Sequence, residues 1–487
     1  MKAYKIKLYP TAEQHQRLSQ WLVTLQRHYN RVLSIVLWMQ RRYNMPVSKA
    51  ICNGLKTPKK DGDKRPYIYG IYVAAKRKNV FLRDVPADTV NQTIKARMEA
   101  AFDKWRVLSK GKKGEDFFKG QPKFANRDRF TSFQFRNKPP GRLLTYDSKG
   151  RRYVNIPTAH GAAKVGPILC SNEPDTPSDF TKSFCAIERE PDGWYLCAVF
   201  EIETPTVYAP AERPVGIDMN IGSIDLSDGT SIPMPFFVDR HADEIIKLRQ
   251  SLSRKRLMNP NGWSTSSRYK ADKQRLALLE RKTKRERKSY QAAVATWLVA
   301  NYDRIYFENI KPANMVRNKH LAKAIAGQAW TQFRQMVKDK ANDHGRVYHE
   351  VEAAYTSQTC SACGWVNKGQ DKLGLHVRRW DCPKCKAHHD RDTNAAQNVL
   401  AKGEALHAAG KTFRRALPPG AVVISGSGVG LPRVPDLPKT INRSKQQWSR
   451  DQRAARAKRM NKRYRKLHGN KRTRKERVDS LQLTLFD

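Results

Sequence analysis

Two Cys-x-x-Cys pairs constrain the fold more than any other feature of this sequence. Cys360 and Cys363 form the first pair, Cys382 and Cys385 form the second, and 18 residues (364–381) separate them. This spacing is typical of four-thiolate zinc sites. Four sulfur ligands leave no open coordination position, so the pattern predicts one structural Zn²⁺ and not a catalytic ion. Such an ion would stabilise its fold by an apparent free energy of about 10–16 kcal/mol.

The net charge of the chain predicts a polyanionic partner. The 487 residues include 93 Lys and Arg against 45 Asp and Glu, a formal net charge of +48. Nucleic acid is the partner that such a charge favours, and a basic ribosomal or membrane-surface protein is the alternative. The hydrophobic content of 39% is that of a folding chain, and the length allows about two to four domains.

The sequence predicts a protein of the reduced cytosol without a membrane partner. The N-terminal segment MKAYKIKLYP contains no long apolar run, so we expect no signal peptide, and no stretch reaches the length of a transmembrane helix. The remaining cysteines, Cys52, Cys170, Cys185 and Cys197, are scattered, which argues against a disulfide scaffold. We expect a cytoplasmic protein.

Changes in hydrophobic period divide the chain into segments. Short β-rich runs predict a small β-barrel or sandwich, which the first strand could join, and alternating strand and helix patterns predict an α/β domain after it. The predicted divisions are a first strand at 1–10, a helical lobe at 11–118, the β-rich domain at 119–206, the α/β domain at 207–355 and 389–401, the zinc-binding insertion at 356–388, and a basic, partly disordered tail at 402–487.

Three acidic residues occupy similar local settings. Asp218 and Glu308 each come at the end of an apolar run, and Asp392 opens a helical pattern directly after the cysteine pairs. Burying an unpaired carboxylate is costly, so acids in such places usually meet a metal ion or a basic partner. Taken singly, Asp218 could be a turn residue and Asp392 a helix N-cap. Their order and joint spacing favour a catalytic role.

The segments that carry these acids resemble a known family. GIDMNIGSIDLSDG, DRIYFENI and TSQTCSACG…CPKC…HHDRDTNAAQNVL are similar to the three RuvC motifs and the zinc insertion of the TnpB nucleases and of the miniature type V CRISPR effectors, which are RNA-guided endonucleases. KAYKIKLYPTAEQ, GQPKF and WTQFRQMVKDKA extend the resemblance over roughly residues 1–400. It implies an α/β RuvC (ribonuclease H-like) nuclease domain with a zinc-ribbon insertion, an N-terminal helical recognition lobe and a small β-barrel (wedge) domain.

The resemblance also implies the chemistry of the site. Asp218, Glu308 and Asp392 would hold two catalytic Mg²⁺ ions, which suit hard oxygen ligands and assist phosphodiester hydrolysis. Arg391 is predicted to contact the scissile phosphate, with a salt bridge to Asp390 as the alternative. We expect His388 and His389 to be loop residues rather than metal ligands. The chain departs from many relatives at residues 219–222, where they carry a basic residue.

The implied partners are a guide RNA and target double-stranded DNA, with a monomer or homodimer on each guide. The resemblance also implies a prokaryotic, nucleoid-associated protein. Base pairing would read the target, and the protein would read only a short flanking motif. Candidate contacts are Lys5, Lys7, Tyr29, Asn30, Lys76, Arg77 and Lys78. We expect the basic helical hairpin at 241–300 to line the channel of the RNA–DNA hybrid. The segment Gln482–Phe486 resembles peptides that dock on the bacterial sliding clamp, with packing on its own domain as the alternative.

Two other functions compete with guided cleavage. A guide-RNA-dependent protein could bind and silence DNA with little or no cleavage. A DNA transposase or integration factor would share the acidic triad but would need no RNA.

Overall fold

The computed structural model describes most of the first 413 residues and little of the chain beyond them. The described residues are 2–43, 82, 84–109, 120–136, 143–156, 165–171, 184–200, 206–260, 262–310, 315, 322–369, 372–374, 376–413, 416–417 and 421–424. Within these ranges, every helix is too short or too polar to cross a lipid bilayer. Lys76, Arg77, Lys78, Cys52 and the segment Gln482–Phe486 lie outside the described residues.

The first half of the chain forms an antiparallel sheet of seven strands in the order β2-β6-β7-β1-β5-β4-β3. The strands are β1 (Lys2–Tyr9), β2 (Ser132–Arg136), β3 (Leu144–Tyr146), β4 (Arg152–Val154), β5 (Ile168–Cys170), β6 (Phe184–Glu190) and β7 (Gly193–Phe200). Glu190 pairs with Gly193, which forms a hairpin at the Pro-Asp-Gly turn. The first strand lies between β7 and β5. Among the described residues, the two end strands β2 and β3 do not pair with each other, so the sheet is open. The predicted closed barrel stays a prediction.

Two helices, α1 (Ala12–Tyr43) and α2 (Ala87–Ser109), pack with this sheet around one hydrophobic core. The N-terminus of α1 shows why the chain turns from strand to helix there. The backbone N–H of Thr11 donates to Oε1 of Gln14 at 3.0 Å, and the N–H of Gln14 donates to Oγ1 of Thr11 at 3.3 Å. These reciprocal bonds satisfy two N–H groups that the first helical turn leaves unpaired, as the capping-box pattern predicts.

A second sheet of five strands has the order β11-β10-β9-β12-β13. Its strands are β9 (Pro214–Asn220), β10 (Ser223–Leu226), β11 (Ser231–Pro233), β12 (Arg304–Glu308) and β13 (Val347–Val351). Strands β9, β10 and β11 form an antiparallel meander, whereas β12 is parallel to both β9 and β13. The centre of the sheet is therefore a parallel pair whose carboxyl ends lie at one edge.

Helices cover the two faces of this sheet. Among the described residues, the helices after the meander are α3 (Ala242–Met258), α4 (Ser267–Asn301), α5 (Ala322–Gln328), α6 (Trp330–Asp343) and α7 (Arg391–Ala408). Val215 and Ile217 of β9 join the core that α4 and α6 form with the sheet. Successive strand residues point to opposite faces, so Gly216 and Asp218 lie on the other face, where α7 packs.

Helix α7 extends to Ala408, so the predicted domain boundary at residue 401 is wrong. Glu404 accepts hydrogen bonds from Nε of Arg304 at 2.8 Å and from the hydroxyl of Tyr306 at 2.8 Å. These contacts tie the end of α7 to β12. Farther on, β16 (Val422–Ile424) pairs in parallel with β8 (Thr206–Tyr208), so part of the predicted tail is ordered against the domain.

Gly216 allows α7 to lie directly on β9, and this contact gives a stability prediction. A Cβ at Gly216 would lie 2.1 Å from the carbonyl oxygen of Ala396 and 2.4 Å from the amide nitrogen of Leu400. These are backbone atoms that cannot rotate away. We expect Gly216→Ala to destabilise the fold by about 3 kcal/mol or more, the upper range for overpacking.

Thermal unfolding of the two alanine variants Gly216→Ala and Gly327→Ala tests this expectation. Gly327 lies in α5, and its added Cβ would meet only Phe236 at 3.9 Å. Alanine there should leave the midpoint unchanged or raise it slightly, because glycine lowers helix stability by about 0.5–1 kcal/mol. Equal midpoints for the two variants would contradict the proposed close packing.

Candidate active site and metal centre

The strand register brings Asp218 and Glu308 together. Phe307 of β12 pairs with Ile217 of β9 in the parallel ladder. Glu308 and Asp218, which follow them on the two strands, are therefore neighbours at the carboxyl edge of the sheet. Both side chains point to the face that α7 covers. Asp392, in the first turn of α7, is the third predicted acid, and its charge and that of Glu308 both act on Asp218.

Burial and mutual repulsion make this group unfavourable when fully ionised. Burial, followed by the charges of Glu308 and Asp392, raises the pKa of Asp218 to about 7. Burial also raises the pKa of Glu308, against a hydrogen bond from Thr356 and the charges of Lys402 and Arg334. A site with this electrostatic character is one that a cation would stabilise.

A fourth carboxylate, which the sequence did not reveal, borders the site. Asp225 of β10 is 9% exposed and lies opposite Asp218 in the antiparallel ladder, so both side chains point to the same face. The side-chain amide of Asn220 donates to Oδ2 of Asp218 at 2.9 Å and to Oδ2 of Asp225 at 3.0 Å. Hydroxyl groups of Ser223 and Ser231 also donate to Asp225. Asn220, in the segment where the chain departs from many relatives, therefore fixes the orientation of Asp218.

Asp392 is not the N-cap of its helix. That role belongs to Asp390, whose Oδ1 accepts from the N–H groups of Asp392 at 3.1 Å and Thr393 at 3.2 Å. The carboxylate of Asp392 is thereby left for other partners. Nη1 of Arg378 lies 3.2 Å from its Oδ1 and 3.1 Å from its Oδ2. Burial raises the pKa of Asp392, and the charge of Arg378 opposes that shift.

Arg391 is held by backbone groups. It is 8% exposed, and its Nη1 donates to the carbonyl oxygens of Gly374 at 2.6 Å and Val377 at 3.4 Å. The guanidinium thus anchors the zinc-binding segment to the start of α7. The predicted contact with a scissile phosphate stays a prediction.

The four predicted cysteines form one compact cluster. The sulfur atoms of Cys360, Cys363, Cys382 and Cys385 all lie within 4.8 Å of one another. Burial raises the pKa of the Cys360 thiol to about 12. Burial would also raise that of Cys382, but backbone N–H groups of Cys385 and Lys384, together with neighbouring thiols, lower it to about 6. Four sulfur donors at this separation fit a tetrahedral ion such as Zn²⁺.

The two histidines lie in a strand, so their predicted place in a loop is wrong. Strands β14 (Arg379–Asp381) and β15 (His388–Asp390) form a hairpin, and Cys382 and Cys385 lie in the segment that connects them. Nδ1 of His388 lies 2.7 Å from Oδ1 of Asp381. His389 is 8% exposed, and its Nε2 lies 3.0 Å from Sγ of Cys360. His389 is therefore placed to donate a hydrogen bond to a sulfur of the cysteine cluster.

The three acids are less compact than the cysteines. Among the described residues, only the four cysteines form a group of three or more histidine, cysteine, aspartate or glutamate side chains whose ligand atoms all lie within 4.8 Å of one another. The acids therefore do not form a one-ion site of that size. Carboxylate oxygens on a half-buried edge still suit hard divalent cations, each held by some of the acids and by water.

Several predicted nucleic-acid contacts have other partners. Tyr29 is 5% exposed and lies in the hydrophobic core, so the prediction is wrong for this residue. The backbone N–H of Ala125 donates to Oδ1 of Asn30 at 2.7 Å, and Nδ2 of Asn30 donates to the carbonyl oxygen of Ala125 at 3.0 Å. Lys5 forms ion pairs with Glu188 and Glu190.

Comparison with known proteins gives matches at both ends of the described region. A Cas12f1-like TNB domain matches residues 330–399, and a helix-turn-helix domain named for OrfB of IS605 matches residues 1–43. The first match contains the cysteine cluster and Asp392. The second covers β1 and α1.

Two curated relatives carry the same description. A "Putative RNA-guided DNA endonuclease" of Streptomyces pristinaespiralis is 32% identical over 223 residues, which are 45% of this chain and 52% of the relative. A "Putative RNA-guided DNA endonuclease InsQ" of Escherichia coli K12 is 28% identical over 241 residues, which are 46% of this chain and 58% of the relative. The chain spans about half the length of these relatives.

A solved structure is also similar, at low scores. A chain in the cryo-EM structure of a Cas12f1–sgRNA–target DNA complex aligns with 15% sequence identity and a TM-score of 0.25. The alignment includes 82% of the present chain and 98% of the chain in that complex. This score is too low to establish a shared fold. The matches in sequence support the resemblance that the three acidic motifs and the cysteine pairs indicate, which is a similarity to TnpB-like proteins.

Proposed function

We propose that this protein is an RNA-guided DNA endonuclease that hydrolyses phosphodiester bonds with two Mg²⁺ ions. The observation that carries the proposal is the meeting of Asp218, Glu308 and Asp392 at one edge of the sheet, although they are far apart in sequence. The descriptions of the sequence relatives favour the same activity. The sheet order, an antiparallel meander followed by two parallel strands, supports a ribonuclease H-like nuclease.

The residues at the site fit divalent cations. Asp218 has a raised pKa because burial and two neighbouring carboxylates disfavour its charged form, and bound cations would remove that penalty. Asp218, Glu308 and Asp392 would hold the ions. When bound, Mg²⁺ activates the attacking water and stabilises the leaving oxygen.

The protein's own groups would orient this chemistry. Asn220 holds one oxygen of Asp218 through its amide and is held in turn by Asp225, so the Asp218 carboxylate has a fixed direction. Arg378 is 63% exposed and now pairs with Asp392. A cation at Asp392 would compete with Arg378, which could then turn to a negatively charged DNA backbone.

Guide RNA and target DNA are the proposed partners. The net charge of +48 supports binding to long polyanions. Exposed basic side chains follow the hairpin of α3 and α4, which places a positive surface on the nuclease part. Examples on α4 are Lys282, Lys284 and Lys288.

Replacing these three lysines should weaken nucleic-acid binding at all sequences alike. If each contacts one phosphate, the slope of log K against log [salt] should become shallower by about three for the variant with alanine at all three positions. Fluorescence anisotropy at several NaCl concentrations measures the slope. Arginine at the same positions is the matched control, because it keeps the charge and should keep the slope. Identical slopes for the alanine variant and the original chain would exclude this surface as a binding site.

The activity itself can be tested in one series. RNA that copurifies with the protein is sequenced, and plasmids with or without the matching sequence are incubated with the complex and Mg²⁺. Cleavage of the matching plasmid alone is the expected result. Binding without a cut product would favour the silencing protein. Cleavage or strand transfer without RNA would favour the transposase.

A further inference from the structure

We infer that Thr356 is a positioning residue for Glu308 and links the order of the zinc-binding segment to the nuclease carboxylates. The inference rests on the proposed function and adds a residue to its site. Thr356 lies beyond the end of β13 and is 3% exposed. Its hydroxyl donates a hydrogen bond to Oε1 of Glu308.

This hydrogen bond fixes the carboxylate at one oxygen. Glu308 is 9% exposed, so few orientations compete with the one that Thr356 selects. A hydroxyl that donates to a charged acceptor forms a stronger bond than one between neutral groups. With Oε1 held, the direction of Oε2 is also set, and a cation could use it without reorganising the side chain.

Helix α7 holds Thr356 in place. The side-chain amide of Asn398 donates to the carbonyl oxygens of Thr356 at 2.9 Å and Thr359 at 2.7 Å. Asn394 donates to the oxygen of Thr359 at 2.8 Å and accepts from the N–H of Ser361 at 2.9 Å. Asn394, Asn398 and Asp392 share this helix, so the helix that carries one predicted acid also positions the residue that orients another.

The same segment continues directly into the zinc cluster. Thr356 is followed four residues later by Cys360, whose sulfur belongs to the cluster. Tyr355, just before it, has a φ of 61°, in the left-handed region that a bulky residue rarely adopts. Such a conformation persists only where surrounding contacts determine it. The position of Thr356 therefore depends on contacts from both the zinc-binding segment and α7.

A purely structural role is the competing interpretation. The hydroxyl of Thr356 also lies 3.2 Å from the carbonyl oxygen of Ala353, which could make it a turn-stabilising group alone. That role predicts lower stability without the hydroxyl and unchanged cation binding. A positioning role predicts weaker cation binding at unchanged zinc content.

The test uses the zinc-loaded full-length protein and Mn²⁺ as the probe, titrated by electron paramagnetic resonance. Thr356→Val keeps the shape but lacks the hydroxyl, and Thr356→Ser keeps the hydroxyl. We expect the valine variant to bind Mn²⁺ about tenfold more weakly, which is the effect of losing a hydrogen bond to a charged group. The serine variant should stay within about twofold of the original chain. Zinc content and thermal unfolding are measured for both, and Thr356→Ala is the second hydroxyl-free variant if valine impairs folding.

Equal Mn²⁺ affinity of a hydroxyl-free variant and the original chain would overturn the inference, as would equal losses for valine and serine. These results leave the proposed function intact, because the original chain still binds Mn²⁺ and Asp218→Asn still weakens that binding. Absence of Mn²⁺ binding by the original chain would instead refute the two-ion proposal and this inference with it.

Discussion

Asp218→Asn is expected to lower the rate of DNA cleavage by about 10³-fold or more while leaving nucleic-acid binding unchanged. Asparagine keeps the size of the side chain and an oxygen for the amide of Asn220, which donates to Oδ2 of Asp218 at 2.9 Å. It cannot supply the negative charge that a Mg²⁺ ligand needs. Charge stabilisation by a bound metal ion contributes several kcal/mol, and each 1.36 kcal/mol changes the rate tenfold.

The same variant should be more stable than the original chain when Mg²⁺ is absent. The pKa of Asp218 rises from 3.8 to about 7 in the folded protein. An acid whose pKa is raised on folding costs no stability below its unfolded pKa, and the folded state loses stability as the pH rises from the unfolded pKa to the folded pKa. Ionised Asp218 therefore destabilises the fold fully above about pH 7. The advantage of asparagine should grow between pH 4 and pH 7 and then level off.

Single-turnover cleavage and thermal unfolding measure these two effects on the same preparations. Asp239→Asn is the matched control, because Asp239 is exposed in the turn before α3 and should change neither quantity. Retained cleavage in Asp218→Asn would refute the assignment of this acid. Lost cleavage with lower stability would indicate misfolding in place of a missing ligand.

The acids and the cysteines could be predicted because local sequence patterns mark their positions, although the acids needed their order and joint spacing as well. Asp218 and Glu308 end apolar runs that become neighbouring strands, so their burial follows from the chain beside them. Cys360 and Cys382 belong to pairs whose spacing alone suffices for four-sulfur binding. In these cases the physical constraint acts within a few residues.

The other residues of the site could not be predicted because their roles depend on strand register and on tertiary contacts, which leave no local sequence pattern. Asp225 borders the site because the register of β9 and β10 places it opposite Asp218. A shift of one residue in that register would point its side chain to the other face of the sheet. Thr356 contacts Glu308, which lies 48 residues away in sequence, and Arg378 contacts Asp392 through the fold of the zinc-binding segment. Tyr29 was predicted to contact nucleic acid, but the tertiary packing of α1 buries it in the hydrophobic core.

Cys382→Ser is expected to abolish zinc binding and to unfold the zinc-binding segment. Cys382 is 0% exposed, and its sulfur lies 3.6 Å from that of Cys363 inside the cluster. A zinc ion stabilises such sites by an apparent 10–16 kcal/mol or so, and the small hydrophobic cluster around Trp380 cannot replace that contribution. The core between the five-stranded sheet and α4 lies elsewhere and should remain folded.

Loss of the zinc-binding segment should also stop cleavage, because that segment supports two of the acids. The backbone N–H of Arg391 donates to the carbonyl oxygen of Arg378 at 2.8 Å, next to Asp392, and the segment that reaches Cys360 orients Glu308 through Thr356. Metal analysis should give one zinc per original chain and none per variant. Limited proteolysis should cut the variant between residues 356 and 390 and spare residues 214–308. Cys197→Ser, in β7 outside the cluster, should keep both zinc and cleavage. A zinc-free variant that cleaves at the original rate would show that the carboxylates do not depend on this support.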